Sequence, residues 1–267
     1  MDKMLVAGID AGSNTVKVVF MEGEQILSYR IVKTGANSLS TVNDLIQQIL
    51  EEQRKRMEDI SSFVSTGYGR NYIPFATSQA TEIFCHAKGV IRSIPQVRTI
   101  IDIGGQDSKV IYLDNSGRVV DFVMNDKCAA GTGRFIETLA LALETPLEEM
   151  GPLSVRAQNE ITISNTCTVF AESEVVSYVA QGFPKGEIIS GVHHAIVNRI
   201  LAMTRRREIR GEICLTGGVA KNVGIVKWLE KELGQSLRIP EEPQITGAIG
   251  AALIGLERTS RKGGGDV

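Results

Sequence analysis

The sequence predicts an α/β protein built from two related half-domains, and three observations support this fold class. The segment Asp10-Ala-Gly-Ser-Asn-Thr-Val-Lys returns further along the chain as Asp102-Ile-Gly-Gly-Gln-Asp-Ser-Lys. Both copies lie between apolar runs, a pattern typical of two strands joined by a tight glycine turn. Around each copy, three strands, a helix, a strand and a helix are predicted in the same order. A duplicated two-domain fold accounts for all three observations, and 267 residues are enough to give each half its own core.

Hydrophobic periodicity places the individual elements of the two halves. Pro95 ends the last helix of the first half, so the predicted half-domains cover residues 1–96 and 97–267. The predicted strands are residues 4–10, 15–21, 24–32 and 62–66, followed by 98–103, 108–114, 117–124 and 213–216. The predicted helices are residues 41–58 and 78–93, followed by 132–144, 170–182, 186–209, 219–233 and 246–258.

The composition excludes several classes of function. Hydrophobic residues make up 43% of the chain and charged residues 22%, which is ordinary for a globular protein in water. The net charge of −2 lacks the basic excess that nucleic-acid-binding proteins carry. No apolar run approaches the length of a membrane span, and the first strand follows Met1 too closely for a signal peptide. We therefore expect a cytoplasmic protein that binds neither nucleic acid nor a membrane.

The two repeated hairpins have the chemistry of a phosphate site. A turn made of glycine with hydroxyl or amide residues exposes backbone N–H groups that can donate to phosphate oxygens. An aspartate at the end of the preceding strand can face a metal ion, directly or through water. Any single loop of this kind can equally be a plain turn, because tight turns use the same residues for steric reasons. Two such hairpins, facing each other, could hold one polyphosphate from both sides.

The two hairpins and a later Thr216-Gly-Gly-Val-Ala segment resemble the acetate kinase/sugar kinase/Hsp70/actin superfamily. The resemblance implies a duplicated ribonuclease-H-like fold with an ATP cleft between the two domains. It also implies an adenosine segment at residues 215–222 and a small-residue hinge helix at residues 247–252. It also implies that ATP and ADP bind with Mg²⁺, which Asp10 and Asp102 would hold through water. The residues predicted to bind the nucleotide are Gly12, Ser13, Asn14, Thr15, Lys17, Gly104, Gly105, Gly131, Thr132, Gly133, Gly217, Gly218, Val219 and Lys221. The predicted catalytic residues are Asp10, Asp102, Gln106 and Asp107, and either Gln106 or Asp107 could orient the attacking water.

Two cysteines, Cys128 and Cys167, are each predicted to lie just before a helix. A thiolate at a helix N-terminus is stabilised by the helix dipole and by free N–H donors. A buried structural thiol remains the default interpretation of any single cysteine. Two cysteines cannot complete a four-cysteine iron–sulfur site, but two chains related by a two-fold axis can.

The segments around these cysteines, together with Thr66-Gly-Tyr-Gly-Arg-Asn and Glu82-Ile-Phe-Cys-His-Ala, resemble the activator ATPases of 2-hydroxyacyl-CoA dehydratases, within the BadF/BadG/BcrA/BcrD family. The resemblance implies a homodimer with one bridging [4Fe-4S] cluster, held by Cys128 and Cys167 of each chain. It implies that ATP drives single electrons, supplied by a ferredoxin or flavodoxin, into an iron–sulfur acceptor. The acceptor could be a 2-hydroxyacyl-CoA dehydratase, a benzoyl-CoA-reductase-type enzyme or a double-cubane-cluster protein.

Two other functions fit an ATP-binding fold of this kind. One is a sugar or acyl kinase with structural cysteines, which would need an acceptor-binding insertion that the short first half leaves little room for. The other is an actin-like or Hsp70-like module that uses ATP only as a switch. Iron content separates both from an activator, because neither needs a cluster.

Overall fold

The computed structural model describes residues 4–263, and these residues form two mixed β-sheets with helices packed against them. The strands are β1 Leu5–Ala11, β2 Thr15–Glu22, β3 Gln25–Lys33, β4 Ser62–Thr66, β5 Ser78–Gln79, β6 Val97–Ile103, β7 Ser108–Leu113, β8 Val119–Asn125, β9 Glu212–Thr216 and β10 Leu237–Arg238. The helices are α1 Ser38–Gln53, α2 Glu82–Ser93, α3 Gly133–Ala142, α4 Leu147–Val155, α5 Thr168–Ala180, α6 Lys185–Thr204, α7 Val223–Leu233 and α8 Thr246–Gly263. The predicted duplicated α/β fold is confirmed.

The first unit contains described residues 4–96, 113–119 and 244–263. Its sheet has the order β3-β2-β1-β4-β5, in which β1 and β2 pair antiparallel and β1 and β4 pair parallel. The amphipathic helix α1 buries its apolar stripe, including Leu45 and Ile49, in the core on one face of this sheet. On the other face, apolar residues of α8 pack against Val6 and Val19.

Helix α8 groups with the first unit, whereas the sequence prediction placed residues 97–267 together in a second half-domain. The reason is close backbone packing that only glycine permits. A Cβ on Gly8 of β1 would lie 1.9 Å from the carbonyl oxygen of Ala248, and one on Gly250 would lie 1.8 Å from that of Cys85 in α2. His86 of α2 also hydrogen-bonds Thr246 across this contact, with 3.0 Å between Nδ1 and Oγ1.

The second unit contains residues 97–112 and 120–243. Its sheet has the order β10-β9-β6-β7-β8, with β6 antiparallel to β7 and parallel to β9. One core joins this sheet to the second unit's helices, and its fully buried members include Phe135 of α3, Leu139 of α3, Ile196 of α6 and Leu229 of α7. The central strands of the two sheets thus have the same neighbours in the same directions.

The structure has one helix that was not predicted, and each predicted helix differs from its predicted bounds by up to about five residues at one or both ends. Helix α4 was not predicted, because Pro152 lies inside it and its apolar periodicity is short. Helix α3 begins at Gly133 with Thr132 as its N-cap, and α7 begins at Val223 rather than 219, after a short 3-10 turn over Gly218–Lys221. No helix within residues 4–263 is both long and apolar enough to cross a membrane.

Candidate functional site

The first loop, residues 12–15, joins β1 to β2 in the first unit. Asp10 at the end of β1 is buried, and its Oδ2 lies 3.0 Å from the Nζ of Lys17, its cross-strand partner on β2. A Cβ on Gly12 would lie 2.7 Å from the carbonyl oxygen of Thr15, so the turn requires glycine. The hydroxyl of Thr34 donates to the carbonyl of Gly12 at 2.8 Å. The loop is therefore a fixed turn with one carboxylate and one ammonium beside it.

The second loop, residues 104–107, joins β6 to β7 in the second unit and repeats this arrangement. Asp102 is buried and is the cross-strand partner of Lys109, as Asp10 is of Lys17. The N–H of Gly104 donates to the carbonyl of Asp107 at 2.9 Å and closes the turn. Gly105 is half-buried, and Gln106 is exposed at the tip. The sequence repeat is therefore also a structural repeat, and each copy contains an ion pair between the aspartate and the lysine.

A threonine on the parallel neighbouring strand extends the repeat. Thr66 of β4 pairs in register with Asp10, and Thr216 of β9 pairs in register with Asp102. The Thr216 hydroxyl donates to Oδ1 of Asp102 at 2.8 Å. A glycine with positive φ follows each threonine, with φ of 83° at Gly67 and 85° at Gly217. The sequence analysis quoted both threonines within family segments but gave neither a role, although both stand at the same place before a glycine.

Residues Gly131, Thr132 and Gly133, predicted to bind nucleotide, pack directly on the second loop. The backbone N–H of Gly133 donates to the carbonyl of Gly104, and that of Arg134 donates to the carbonyl of Gly105, both at 2.8 Å. Gly131 has a φ of 86°, and the buried Thr132 donates its hydroxyl to the carbonyl of Ala129 at 2.7 Å. The start of α3 is therefore attached to the second loop by two hydrogen bonds.

The predicted adenosine segment, residues 215–222, runs from β9 into α7. A Cβ on Gly217 would lie 2.3 Å from the carbonyl oxygen of Ile103, which explains a glycine there. Gly218 begins the short 3-10 turn, and Val219 is buried within it. Lys221 forms an ion pair with Glu242 at 2.8 Å. The two glycines thus bring this backbone close to the end of β6, within the same unit.

A buried histidine, which the sequence analysis left without a role, supports the end of this segment. Asn222 caps α7 by accepting with Oδ1 from the N–H groups of Gly224 and Ile225, so its amide nitrogen faces His193. That nitrogen lies 3.1 Å from Nε2 of His193, which therefore accepts and belongs to a neutral imidazole. His193 is fully buried, and this burial lowers its pKa to about 3.

The two predicted cluster cysteines lie next to each other in the second unit. Cys167 is the N-cap residue of α5, and the thiol of Cys128 lies 3.8 Å from the carbonyl oxygen of Thr166, the preceding residue. Both cysteines are partly exposed. The side-chain amide of Asn125 holds the Cys128 turn by donating to the carbonyls of Cys128 and Ala130, at 2.9 and 3.1 Å. The fold therefore brings the segments of two cysteines that are distant in sequence into contact.

The position predicted for Cys128 needs correction. It does not lie immediately before a helix, because residues 129–132 form a turn and α3 begins only at Gly133. The first N–H groups of α3 donate to the second loop rather than facing the cysteine. Only Cys167 lies at a helix N-terminus, so the helix dipole acts directly on one thiol of the pair.

The other two cysteines are buried in the cores, Cys85 in α2 and Cys214 in β9. Burial raises the pKa of each thiol to about 12, so both stay protonated and unreactive at neutral pH. Within residues 4–263, no three His, Cys, Asp or Glu side chains are grouped closely enough to hold a metal ion. One chain thus offers two thiols at one place, half of a four-cysteine set.

The two sheets, the paired loops and the shared strand order define a two-domain ATPase fold of the actin, Hsp70 and sugar-kinase type. The chain belongs to the BadF/BadG/BcrA/BcrD ATPase family, whose family model matches residues 7–255. The resemblance found in the sequence to the dehydratase activators of this family is confirmed by the relatives described next.

The chain is 44% identical to the activator of lactoyl-CoA dehydratase from Anaerotignum propionicum, over 97% of this chain and 100% of the relative. It is 41% identical to the 2-hydroxyisocaproyl-CoA dehydratase activator from Clostridioides difficile, over 95% of this chain and 96% of that protein. The solved structure of the 2-hydroxyisocaproyl-CoA dehydratase activator from Clostridium difficile with bound ADPNP superposes with a TM-score of 0.92. This chain and that structure are 40% identical, with 99% of each covered.

Proposed function

We propose that this protein is an ATP-dependent activator that passes single electrons at low potential to an iron–sulfur enzyme of the 2-hydroxyacyl-CoA dehydratase type. The observation that carries the proposal is the contact between the Cys128 thiol and the carbonyl of Thr166, the residue before Cys167, in the unit that also contains the second loop. The relatives named above, which align over nearly the whole chain, are dehydratase activators. The full-length alignment supports a separate activator rather than a kinase with an added acceptor domain.

The proposed substrate is ATP, with Mg²⁺ as its counterion. Backbone N–H groups of residues 12–15 and 105–107 would donate to the phosphates, and Lys17 would add a positive charge. Asp10 and Asp102 end equivalent strands, and their buried carboxylates are the hard oxygen ligands that Mg²⁺ prefers. Because Mg²⁺ keeps several waters and also binds phosphate oxygens, a grouping of three carboxylates is not required.

The residues proposed to hold a [4Fe-4S] cluster are Cys128 and Cys167 of two chains in a homodimer. Two partly exposed thiols at one place in each chain fit this assignment, because a two-fold axis beside them would bring four together. A bound cluster would supply one-electron oxidation and reduction. The chain's part is to position the thiols, which Asn125 and the N-terminus of α5 do.

Hydrogen bonds between the second loop and the start of α3, which follows the Cys128 turn, support coupling. Gly133 and Arg134 donate to the carbonyls of Gly104 and Gly105, so a shift of the second loop must either move the start of α3 or break two hydrogen bonds. The turn that begins at Cys128 leads directly into this helix. Each broken bond of this kind costs about 1 kcal/mol. Nucleotide-dependent movement of the loop would therefore displace the Cys128 turn.

The proposed electron donor is a ferredoxin or flavodoxin, and the proposed acceptor is a 2-hydroxyacyl-CoA dehydratase. A benzoyl-CoA-reductase-type enzyme or a double-cubane-cluster protein is the alternative acceptor within the same reaction class. The acceptor, not this chain, would bind the acyl-CoA substrate.

Anaerobic purification of the wild type and two cysteine variants tests the proposal. We expect a brown wild-type dimer with about four irons per dimer. Cys128→Ser should lose the iron while keeping ADP affinity within about threefold, because Cys128 is not in either phosphate loop. Cys214→Ala is the matched control, since it removes a buried thiol and should keep the iron.

A colourless, iron-free wild type from strictly anaerobic preparation would contradict the cluster, and iron retained by Cys128→Ser would contradict its ligand assignment. If the iron-free protein also transferred phosphate to a sugar or a carboxylic acid, the kinase function would replace the activator function. Failure of the wild type to bind ADP by calorimetry would contradict nucleotide binding itself.

A further inference from the structure

The two loops of the repeat use their lysines differently, and this difference separates the roles of Gln106 and Asp107. We infer that Lys109 is a positioning residue that holds Asp107 against the second loop. Asp107 then fixes the shape of the loop, and Gln106 is the residue that orients the attacking water. The inference rests on the proposed ATP hydrolysis and goes beyond it by assigning one side chain to the water.

Lys109 is buried and is held between two carboxylates. Its side chain is 2% exposed, and its Nζ lies 2.8 Å from Oδ2 of Asp107 and 3.4 Å from Oδ2 of Asp102. Asp102 is fixed in turn by the hydroxyl of Thr216 at 2.8 Å. An ammonium buried this deeply is costly unless it is paired, so both carboxylates are held in place by it.

Asp107 is folded back over its own loop. A Cβ on Gly104 would lie 2.6 Å from Oδ1 of Asp107, and the carbonyl of Asp107 accepts the N–H of Gly104. The carboxylate thus lies against Gly104 on one side and Lys109 on the other. One carboxylate oxygen of Asp107 is paired with the buried Lys109 and the other lies against Gly104, so this side chain shapes the turn rather than holding a water.

The first loop lacks an ion pair equivalent to that between Lys109 and Asp107. In the repeat, Thr15 stands where Asp107 stands, and Lys17 contacts only one aspartate of its loop, at 3.0 Å. Lys17 is 14% exposed, and a Cβ on Gly12 would lie 3.2 Å from its Nζ, so this ammonium stays beside the loop where phosphate would bind. The two equivalent lysines therefore have different roles. Lys17 is placed to contact the phosphate, whereas Lys109 holds the second loop in its conformation.

Gln106 is the exposed residue at the tip of the second loop. An amide can donate to one group and accept from another, which suits it to hold a water between protein and phosphate. In hydrolysis the water oxygen bonds to the γ-phosphorus, and the bond from that phosphorus to the β,γ-bridging oxygen breaks. ADP leaves with the bridging oxygen, one proton of the water stays on the phosphate, and the other passes to solvent.

Steady-state ATPase kinetics of the anaerobic holoenzyme test the assignment. Gln106→Ala should lower kcat on the order of 100-fold and leave KM for ATP within about threefold. Asp107→Asn should raise KM for ATP about tenfold or more, with a smaller loss of kcat, because the loop loses the ion pair between Asp107 and Lys109 but keeps Gln106. Asn14→Ala changes the matching position of the first loop and should act on KM rather than on kcat.

The lysine is tested by rescue. Lys109→Met removes the ammonium between the buried Asp102 and the partly exposed Asp107, whereas Lys109→Arg keeps a cation there, so the arginine variant should recover at least tenfold of the lost kcat/KM. Because Gln106 is exposed, its variant tests the assignment even if Lys109→Met fails to fold.

The assignment is overturned if Gln106→Ala keeps wild-type kcat, or if Asp107→Asn loses kcat at unchanged KM. Equal activity of Lys109→Met and Lys109→Arg overturns the positioning role. A wild type that binds no ATP contradicts the proposed function itself, whereas these variant results on an active wild type contradict only the inference.

Discussion

At the scale of single residues, His193 links the adenosine segment to the stability of the second unit. It is neutral because Nε2 accepts from Asn222, and burial lowers its pKa from 6.5 to about 3. The unfolded chain binds a proton at this group below pH 6.5, and the folded chain does so only below about pH 3. Protonation therefore favours the unfolded state between these values, and stability falls as the pH is lowered through this window.

We expect His193→Gln to remove this pH dependence. Between pH 6.5 and pH 5, the wild type should lose about 1.6 kcal/mol more unfolding free energy than the variant, because the slope rises from half of about 1.4 kcal/mol per pH unit at pH 6.5 to nearly all of it at pH 5. Urea unfolding at both pH values measures the difference. His194→Gln is the matched control, since that neighbouring side chain is partly exposed and stacks on Trp228. Equal pH slopes for the wild type and His193→Gln would rule out a buried neutral imidazole.

At the scale of secondary-structure elements, the features that were predicted correctly from the sequence are those that depend on residues close together in the chain. The Asp10–Lys17 hairpin and its copy were predicted because alternation and glycine turns act within a few residues. The placement of α8 in the first unit was not predicted, because it depends on the fit of Gly8 against Ala248, which are far apart in sequence. Both lysines were seen in the repeat, but the second contact of Lys109 with Asp107 depends on three-dimensional side-chain geometry.

The packing of α8 on α2 gives a prediction at this scale. Gly250→Ala should lower the unfolding free energy by about 3 kcal/mol, because its Cβ would lie 1.8 Å from the carbonyl oxygen of Cys85 and the two helices must separate. Ser260→Ala, at an exposed position of the same helix, should change stability by less than about 0.5 kcal/mol. Chemical denaturation followed by circular dichroism measures both. A Gly250→Ala protein as stable as the control would show that this contact can relax.

At the scale of the whole molecule, helix α5 carries the clearest sign of a partner. Its sequence is strongly apolar, yet only Ala171 and Val175 are buried. Its large apolar side chains are exposed instead: Val169 64%, Phe170 62%, Val176 54% and Val179 49%. An exposed apolar surface of this kind is typical of an interface. Because Cys167 is the N-cap residue of this helix, the surface that would form the proposed homodimer starts next to a proposed cluster ligand.

Dimer formation and cluster binding should therefore be lost together. Phe170→Lys places a charge in the apolar surface of α5, and we expect it to shift the protein from dimer to monomer in analytical ultracentrifugation. The iron content should fall in parallel, since one chain supplies only two thiols and four are needed. Tyr29→Lys replaces an exposed aromatic residue of β3 in the first unit with a charged one, and it should leave both the dimer and the iron unchanged.

A Phe170→Lys monomer that kept the iron would show that two thiols and other ligands suffice. A dimeric, iron-loaded variant would place the interface on another surface. If Phe170→Lys loses both the dimer and the iron while Tyr29→Lys loses neither, the apolar surface of α5 forms the dimer interface and the cluster needs cysteines from both chains.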